Sequence, residues 1–155
     1  MKILTLIPAR MGSSRFYGKP LKKIKNIPMI EICYRNAAKS KIVDDLYVAT
    51  CDKEIYSHIK KINGNVVMTS NKHLRASSRC CEALKKIEKI KNIKYDIVIM
   101  IQGDEPMVTS SMINRSIKPF FNDKTIQVVN LICKISNKKE FINPNSIKVV
   151  FTKDN

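Results

Sequence analysis

Short apolar runs alternate with segments of helical periodicity along this chain. The runs are rich in β-branched residues and show little polar alternation, a pattern typical of strands that are buried on both faces of a parallel sheet. We predict strands at residues 3–7, 46–50, 65–69, 95–101, 126–133 and 146–151.

Between these runs, apolar residues recur every three or four positions and predict helices. A tight turn is expected at Asn26, because asparagine tolerates left-handed backbone. The first helix begins at Pro28, and others are expected at residues 52–62, from 77 or 78 to 90, and at 107–121, before a turn or short helix at 137–141. The third should bury Cys81, Leu84, Ile87 and Ile90 and leave Glu82 solvated. The expected caps of the last three long helices are Thr50 or Asp52, Ser77 or Ser78, and Thr109 or Ser110.

This alternation of strands and helices predicts a three-layer α/β fold with a mostly parallel, twisted sheet. Residues 1–155 suffice for one domain, and they contain no internal repeat or linker-like segment. Because parallel strands end at the same edge of a sheet, ligand-binding loops are expected together after Ile7, Thr50, Thr69 and Ile101.

The formal net charge of +16 raises the possibility of a polyanionic partner. Most lysines are scattered over predicted helix surfaces with few aromatic residues among them, so we do not expect a nucleic-acid-binding protein. No apolar run is as long as a membrane span, and the first residues are typical of a strand, not of a cleaved signal, so we expect a cytoplasmic protein. Five cysteines without CxxC spacing predict neither a disulfide framework nor a zinc site.

The loop after the first strand concentrates candidate phosphate ligands. Arg10, Arg15 and Lys19 carry positive charge there, and Gly12 and Ser13 leave backbone N–H groups free to face an anion. Cations at this place in an open α/β sheet suit phosphate oxygens. The loop matches neither the Walker pattern, because a proline follows its Gly-Lys pair, nor the three-glycine dinucleotide pattern. A solvated basic loop is the alternative.

A second candidate site follows the predicted strand at 95–101, which ends abruptly at the sequence QGDEP. Asp104 would stand at the carboxyl end of a buried strand, in a turn fixed by Gly103 and Pro106, where a carboxylate can bind Mg²⁺ on a nucleotide. The alternative is a turn acid that accepts a hydrogen bond from its own backbone.

The segment IPARMGSSRFYGKPL, the block QGDEP and the final NPNSIKVVFTKDN together resemble the sugar-activating cytidylyltransferases, most closely the 3-deoxy-manno-octulosonate cytidylyltransferase (CMP-Kdo synthetase) family. The resemblance extends over nearly all of the chain. It implies the Rossmann-like nucleotide-diphospho-sugar transferase fold and a homodimer. The implied activity is transfer of CMP from CTP to the anomeric hydroxyl of an acidic sugar, expected to be Kdo, with release of pyrophosphate, in lipopolysaccharide biosynthesis.

The resemblance also implies residue roles. Arg15, Lys19 and Asp104 would act in catalysis, and Asp104 would bind the cofactor Mg²⁺. The residues expected to bind the nucleotide are Arg10, Gly12, Ser13, Arg15, Lys19, Ser77, Arg79 and Gln102.

Two loops depart from the family pattern. The family's Ser-Gly-Thr-acid-Arg motif is RASSR at residues 75–79, without the glycine and the acid, and Cys51 replaces the first of two acids after the second strand. We also expect residues 1–155 to be the nucleotide-binding domain without the family's carboxyl-terminal part, which supplies a second metal-binding aspartate, sugar contacts and most of the dimer contact. Two alternatives follow: a non-catalytic nucleotide- or polyanion-binding remnant, or a cytidylyltransferase for another acidic sugar.

Overall fold

The structure is a computed structural model that describes residues 1–12 and 16–150. Its strands are β1 (Ile3–Ala9), β2 (Lys23–Ile24), β3 (Ile27–Pro28), β4 (Asp45–Thr50), β5 (Val66–Met68) and β6 (Ile97–Met100). Its α-helices are α1 (Met29–Ala37), α2 (Lys53–Lys61), α3 (Ala76–Lys91), α4 (Ser110–Asn122) and α5 (Lys138–Ile142). A short 3-10 helix covers Lys19–Leu21.

The main sheet is parallel throughout the part of the chain that the structure describes, with strand order β5-β4-β1-β6. All seven residues of β1 are buried, which explains why its sequence lacks polar alternation. The chain starts in the middle of the sheet, builds outward to β5, and then crosses to the other side of β1 to form β6. The order of the strands therefore reverses at β1.

Helices cover both faces of this sheet. On one face, Ile7 of β1 and Val48 of β4 pack against Ile30 of α1 and Ile55 of α2, and α4 continues the same layer. On the other face, Leu4 and Leu6 belong to a cluster with Cys80, Ala83 and Ile87 of α3. The predicted three-layer α/β fold is confirmed.

A small hairpin, β2 and β3, connects the loop after β1 to α1. Its turn residues Lys25 and Asn26 both have positive φ, of 48° and 69°, a conformation that asparagine tolerates better than most residues. The turn predicted at Asn26 is confirmed, as is the cap of α4, where the Thr109 hydroxyl accepts a hydrogen bond from the Met112 N–H at 3.3 Å.

The predicted side-chain caps of α2 and α3 do not form, although Asp52 is the N-cap residue of α2 as predicted. Asp52 occupies the N-cap position of α2, but its carboxylate does not bond the helix, and Thr50 instead accepts a hydrogen bond from the Asp52 N–H at 3.1 Å. α3 begins earlier than expected, with Arg75 at its N-cap and no side-chain cap, so Ser77 and Ser78 lie inside its first turn.

The predicted inner face of α3 is displaced. Cys80, Ala83 and Ile87 are buried, whereas Cys81 is exposed and Ile90 is 77% exposed. Arg79 is also buried on the side of α3 that faces the sheet. A charged residue among the buried positions obscured the apolar periodicity of this helix.

The strands predicted at 126–133 and 146–151 are wrong over the residues that the structure describes; residue 151 lies outside them. Neither segment forms a strand at its described residues. Val128 and Leu131, which a strand in the sheet would bury, are 75% and 53% exposed. Residues 127–131 line a groove of about 620 Å³ beside β6 and α4. β-branched alternation fits a strand, yet a strand forms only where a neighbour pairs with its backbone, and β6 pairs with β1 alone among the described residues.

No helix in residues 1–12 and 16–150 is long and apolar enough to cross a lipid bilayer.

Candidate functional site

A cleft of about 310 Å³ opens at the carboxyl ends of β1 and β6, where the strand order reverses. In open α/β sheets the loops that leave two such strands diverge and leave a crevice between them, which is the usual ligand site. The walls here are the end of β1 with the loop after it, the turn after β6, and the start of α3. The fold alone therefore selects this cleft over the larger apolar groove beside α4.

Most of the predicted site residues that the structure describes line this cleft, although they come from three separate parts of the chain: Arg10, Gly12, Lys19, Arg79, Gln102 and Asp104. The structure does not bring Ser77 to it, because this serine is exposed on the first turn of α3. Ser13 and Arg15 lie outside the described residues. His73, Arg75 and Ala76 also line the cleft, although the sequence did not assign them to the nucleotide.

The loop after β1 is closed at its neck by a hydrogen bond from the Gly18 N–H to the Met11 carbonyl oxygen at 2.9 Å. Gly18 has φ of 70°, a conformation that glycine adopts without the strain of a side chain. This residue ends the loop and begins the 3-10 helix that carries Lys19 and Pro20. The backbone turn at Gly18 thus directs the chain back so that Lys19 stands at the cleft.

The turn after β6 is held against β1 and α1. A Cβ on Gly103 would lie 2.9 Å from the Pro8 carbonyl oxygen and 3.3 Å from the Ala9 Cβ, so only glycine fits this close approach. Cys33 of α1 donates from Sγ to the Gly103 carbonyl oxygen at 3.6 Å, and burial raises the pKa of its thiol to about 11, which keeps the donor protonated. Asp104 is thereby carried on a rigid turn.

Lys19 and Asp104 form an ion pair across the cleft. The Lys19 Nζ lies 2.7 Å from Asp104 Oδ2, and the two side chains are 37% and 47% exposed. The predicted phosphate-binding cation and the predicted metal-binding carboxylate are therefore in direct contact. Because both are accessible to water, a more highly charged anion or cation can replace either partner at little energetic cost.

Arg79 is an unusual buried cation. Its side chain is 2% exposed, its Nη1 donates to Thr69 Oγ1 at 2.5 Å and to the Ser70 carbonyl oxygen at 3.3 Å, and its Nη2 has no hydrogen-bond partner. Arg79 forms no ion pair with any residue in the described ranges. A buried guanidinium with a free donor is costly, since it has lost water without gaining a counter-ion. An anion in the adjoining cleft would relieve that cost.

A hydrogen-bond cluster supports the cleft from the side of α3. Glu82 accepts from the Ser70 N–H at 3.0 Å, from His73 Nε2, and from Lys86, whose Nζ lies 2.7 Å away. Lys86, the Ser70 N–H and His73 together lower the pKa of the Glu82 carboxyl from its ordinary 4.5 to about 2. His73 is also 3.1 Å from Ser78 Oγ. This network fixes residues 70–75 at the rim of the cleft.

Two acids near the cleft make contacts that the sequence did not predict. Asp52 was expected to cap α2, yet its carboxylate accepts a hydrogen bond from the Met11 N–H at 2.8 Å. Glu82 was expected only as a solvated helix residue. The available signal was its position one helical turn after Ser78 and three residues after Arg79, in a helix that carries four exposed lysines.

The sequence as a whole is similar to that of known cytidylyltransferases. A family model described as "Cytidylyltransferase" matches residues 4–155. The 3-deoxy-manno-octulosonate cytidylyltransferase of Fusobacterium nucleatum is 43% identical over 154 residues, which are 99% of this chain and 60% of the relative. The enzyme of the same name from Thermodesulfovibrio yellowstonii is 39% identical over 156 residues, 99% of this chain and 61% of the relative. The chain therefore spans about three fifths of the length of these relatives.

Solved structures agree with the sequence relatives. A CMP:2-keto-3-deoxy-manno-octonic acid synthetase complexed with CTP superposes with a TM-score of 0.71 and 32% identity, over 81% of this chain and 50% of that one. A cytidylyltransferase from Leptospira borgpetersenii superposes with a TM-score of 0.66 and 26% identity, over 80% of this chain and 50% of its own. With the family model matching almost every residue, and with the fold and the cleft in agreement, this chain belongs to the cytidylyltransferase family.

Proposed function

We propose that the cleft binds CTP and that the protein transfers CMP from CTP to the anomeric hydroxyl of 3-deoxy-manno-octulosonate, with release of pyrophosphate. The observation that carries the proposal is the convergence of Arg10, Lys19 and the incompletely bonded Arg79 on one cleft at the strand reversal. With Arg75, four cations face a cleft in which Asp104 is the one carboxylate among the described lining residues. That excess of positive charge suits a triphosphate.

The proposed cofactor is Mg²⁺, and Asp104 is the residue that would hold it. Mg²⁺ prefers oxygen ligands and is commonly bound by one or two carboxylates together with phosphate oxygens of the substrate. Asp104 meets this need, since its carboxylate is accessible and stands beside Lys19. No cluster of three or more His, Cys, Asp or Glu side chains that could hold a metal occurs within residues 1–12 and 16–150. Bound Mg²⁺ would neutralise phosphate charge and orient the triphosphate.

The residues of this chain would act by positioning and charge stabilisation. A bond forms between the sugar oxygen and the α-phosphorus, and the bond from that phosphorus to the oxygen that bridges it to the β-phosphate breaks, so pyrophosphate leaves with that oxygen while the sugar hydroxyl releases its proton to solvent. Negative charge grows on the departing pyrophosphate, where Lys19 and Arg10 can donate hydrogen bonds. Arg15 is proposed to do the same. Arg79 would stabilise the charge of the nucleotide as a buried cation in the wall of the cleft, and Gln102 would contact the nucleotide from the turn after β6.

A second candidate function is CTP binding without transfer. The loop at residues 75–79 favours it, because Ala76 adds a side chain where the related motif has glycine, and Arg75 adds a cation. Ala76 lines the cleft and therefore narrows the approach to it. A transferase for another acidic sugar would differ from the Kdo transferase in its sugar substrate, and from a CTP-binding protein in releasing pyrophosphate. We propose a cytoplasmic protein and, for the Kdo transferase, a role in lipopolysaccharide biosynthesis.

The test is pyrophosphate release by the 155-residue chain with CTP, Mg²⁺ and Kdo. We expect release that requires all three and that UTP or ATP does not support. Kdo should be compared with another 2-keto sugar acid, and each component should be omitted in turn. CTP binding without pyrophosphate release would favour the second candidate. Absence of both binding and release would contradict the proposed function.

A further inference from the structure

Asp52 is the N-cap residue of α2, and its carbonyl oxygen accepts a hydrogen bond from the Tyr56 N–H at 3.1 Å, but its side chain does not cap that helix. It has the extended backbone of an N-cap residue, with φ of −103° and ψ of 126°, yet its side chain makes no bond to the first turn. An aspartate in this position normally accepts a hydrogen bond from the second or third N–H of its own helix. Its carboxylate instead accepts from the Met11 N–H at 2.8 Å, a residue 41 positions earlier in the chain.

The orientation of Asp52 is fixed by its own loop. Its N–H donates to the Thr50 hydroxyl at 3.1 Å, and Thr50 is fully buried at the end of β4, opposite Ala9 of β1. The Cys51 thiol also donates to the Asp52 carboxylate, with a sulfur–oxygen distance of 3.5 Å. The end of β4 therefore holds the carboxylate next to the end of β1.

Met11 is the point at which the cation-rich loop is closed. β1 ends at Ala9, so the Met11 N–H lies beyond the strand pairing, and its carbonyl oxygen accepts the Gly18 N–H that forms the neck of the loop. Arg10 and Gly12 flank Met11, and both line the cleft. Any displacement of Met11 would move these two residues and, through Gly18, the neighbouring Lys19.

We propose that Asp52 is a positioning residue for CTP binding, because it anchors the neck of the loop that presents Arg10, Gly12 and Lys19. The inference rests on the proposed function of the cleft. Asp52 itself does not line the cleft, so it acts through Met11 and not by touching the nucleotide. Consistent with this role, the Asp52 carboxylate bonds a distant loop instead of capping its own helix. Local preferences are commonly overridden in this way at functional sites.

Substitution at this position separates positioning from stability. Asp52→Ser places at the N-cap a hydroxyl that suits helix capping, but serine is one bond shorter and does not reach Met11. We expect its melting temperature to stay near that of the wild type while its Kd for CTP·Mg²⁺ rises by roughly tenfold or more, the effect of losing a charge-assisted hydrogen bond. Asp52→Asn keeps an acceptor of the same length and should bind CTP within about threefold of the wild type.

Thr109→Ala is the matched control, since it removes the observed cap of α4 away from the cleft. It should lower the melting temperature and leave the Kd for CTP unchanged. Equal affinity of Asp52→Ser and the wild type would overturn the inference. A loss of affinity in Thr109→Ala as large as in Asp52→Ser would also overturn it, because the effect would then follow stability alone.

Amide hydrogen exchange at Met11, measured without nucleotide, tests the inference independently of the proposed function. We expect faster exchange in Asp52→Ser than in the wild type, and little change in Asp52→Asn and Thr109→Ala. If wild-type protein bound no CTP, the proposed function would fail. The exchange rate of the Met11 amide would still show whether Asp52 anchors this loop. Equal Met11 protection in Asp52→Ser and the wild type would refute the anchor.

Discussion

Replacing Lys19 by alanine should weaken nucleotide binding and leave the fold intact. The only ion pair that the structure gives this lysine among the described residues is with Asp104, and their side chains are 37% and 47% exposed. An ion pair as accessible as this contributes no more than about 1 kcal/mol to the free energy of unfolding. In a chain of 155 residues, such a loss lowers the melting temperature by only about 2–4 °C.

The loss of binding should be much larger. A hydrogen bond from an ammonium to a phosphate contributes about 1.5–3 kcal/mol, so the Kd for CTP should rise by roughly 10- to 150-fold. The variant also leaves the Asp104 carboxylate unpaired beside the triphosphate, and the resulting repulsion should make binding depend more strongly on Mg²⁺ than in the wild type.

Isothermal titration calorimetry with CTP, with and without Mg²⁺, measures this effect. Lys23→Ala is the matched control, because it removes the same charge from an exposed residue of β2 outside the cleft. If Lys19→Ala and Lys23→Ala both bound CTP within twofold of the wild type, Lys19 would have no phosphate contact, and the interpretation of the loop would be refuted.

Three further substitutions test other parts of the site. Asp104→Asn should abolish the Mg²⁺ dependence of CTP binding; retained dependence, measured by calorimetry, would assign the metal to another ligand. Gly103→Ala should lower the free energy of unfolding in urea by about 1–3 kcal/mol, because its Cβ would lie 2.9 Å from the Pro8 carbonyl oxygen; a neutral effect would show that the turn can shift. The pKa of Glu82 is lowered to about 2, so its contribution to the free energy of unfolding is complete above its unfolded pKa near 4.5 and is lost as the pH falls toward 2. Glu82→Gln should therefore make the free energy of unfolding depend less on pH in that window.

The sequence predicted the centre of the fold well, because there the local pattern and the tertiary environment agree. β1 is buried along its whole length, so an unbroken apolar run identifies it. Asn26 and Thr109 could be placed because left-handed turns and helix caps depend on only a few neighbouring residues. The edge that carries the cleft followed from the predicted parallel sheet, since parallel strands bring their carboxyl ends to one edge.

The errors arose where a side chain has a distant partner. Asp52 fits the pattern of a helix cap, and only the approach of Met11 across the sheet edge changes its role. Arg79 lies in the buried row of α3 because it faces the cleft, a placement that hydrophobic periodicity cannot indicate. The apolar segment at 126–133 has the composition of a strand, but pairing depends on a neighbouring backbone that local sequence does not specify.

The most direct test of the proposed function is calorimetric titration of the 155-residue chain with CTP in the presence and absence of Mg²⁺, with UTP and ATP as controls. We expect binding that requires Mg²⁺ and prefers CTP. Equal binding of all three nucleotides, weakened steeply by salt and indifferent to Mg²⁺, would contradict it, because that behaviour indicates general attraction of polyanions to a basic protein.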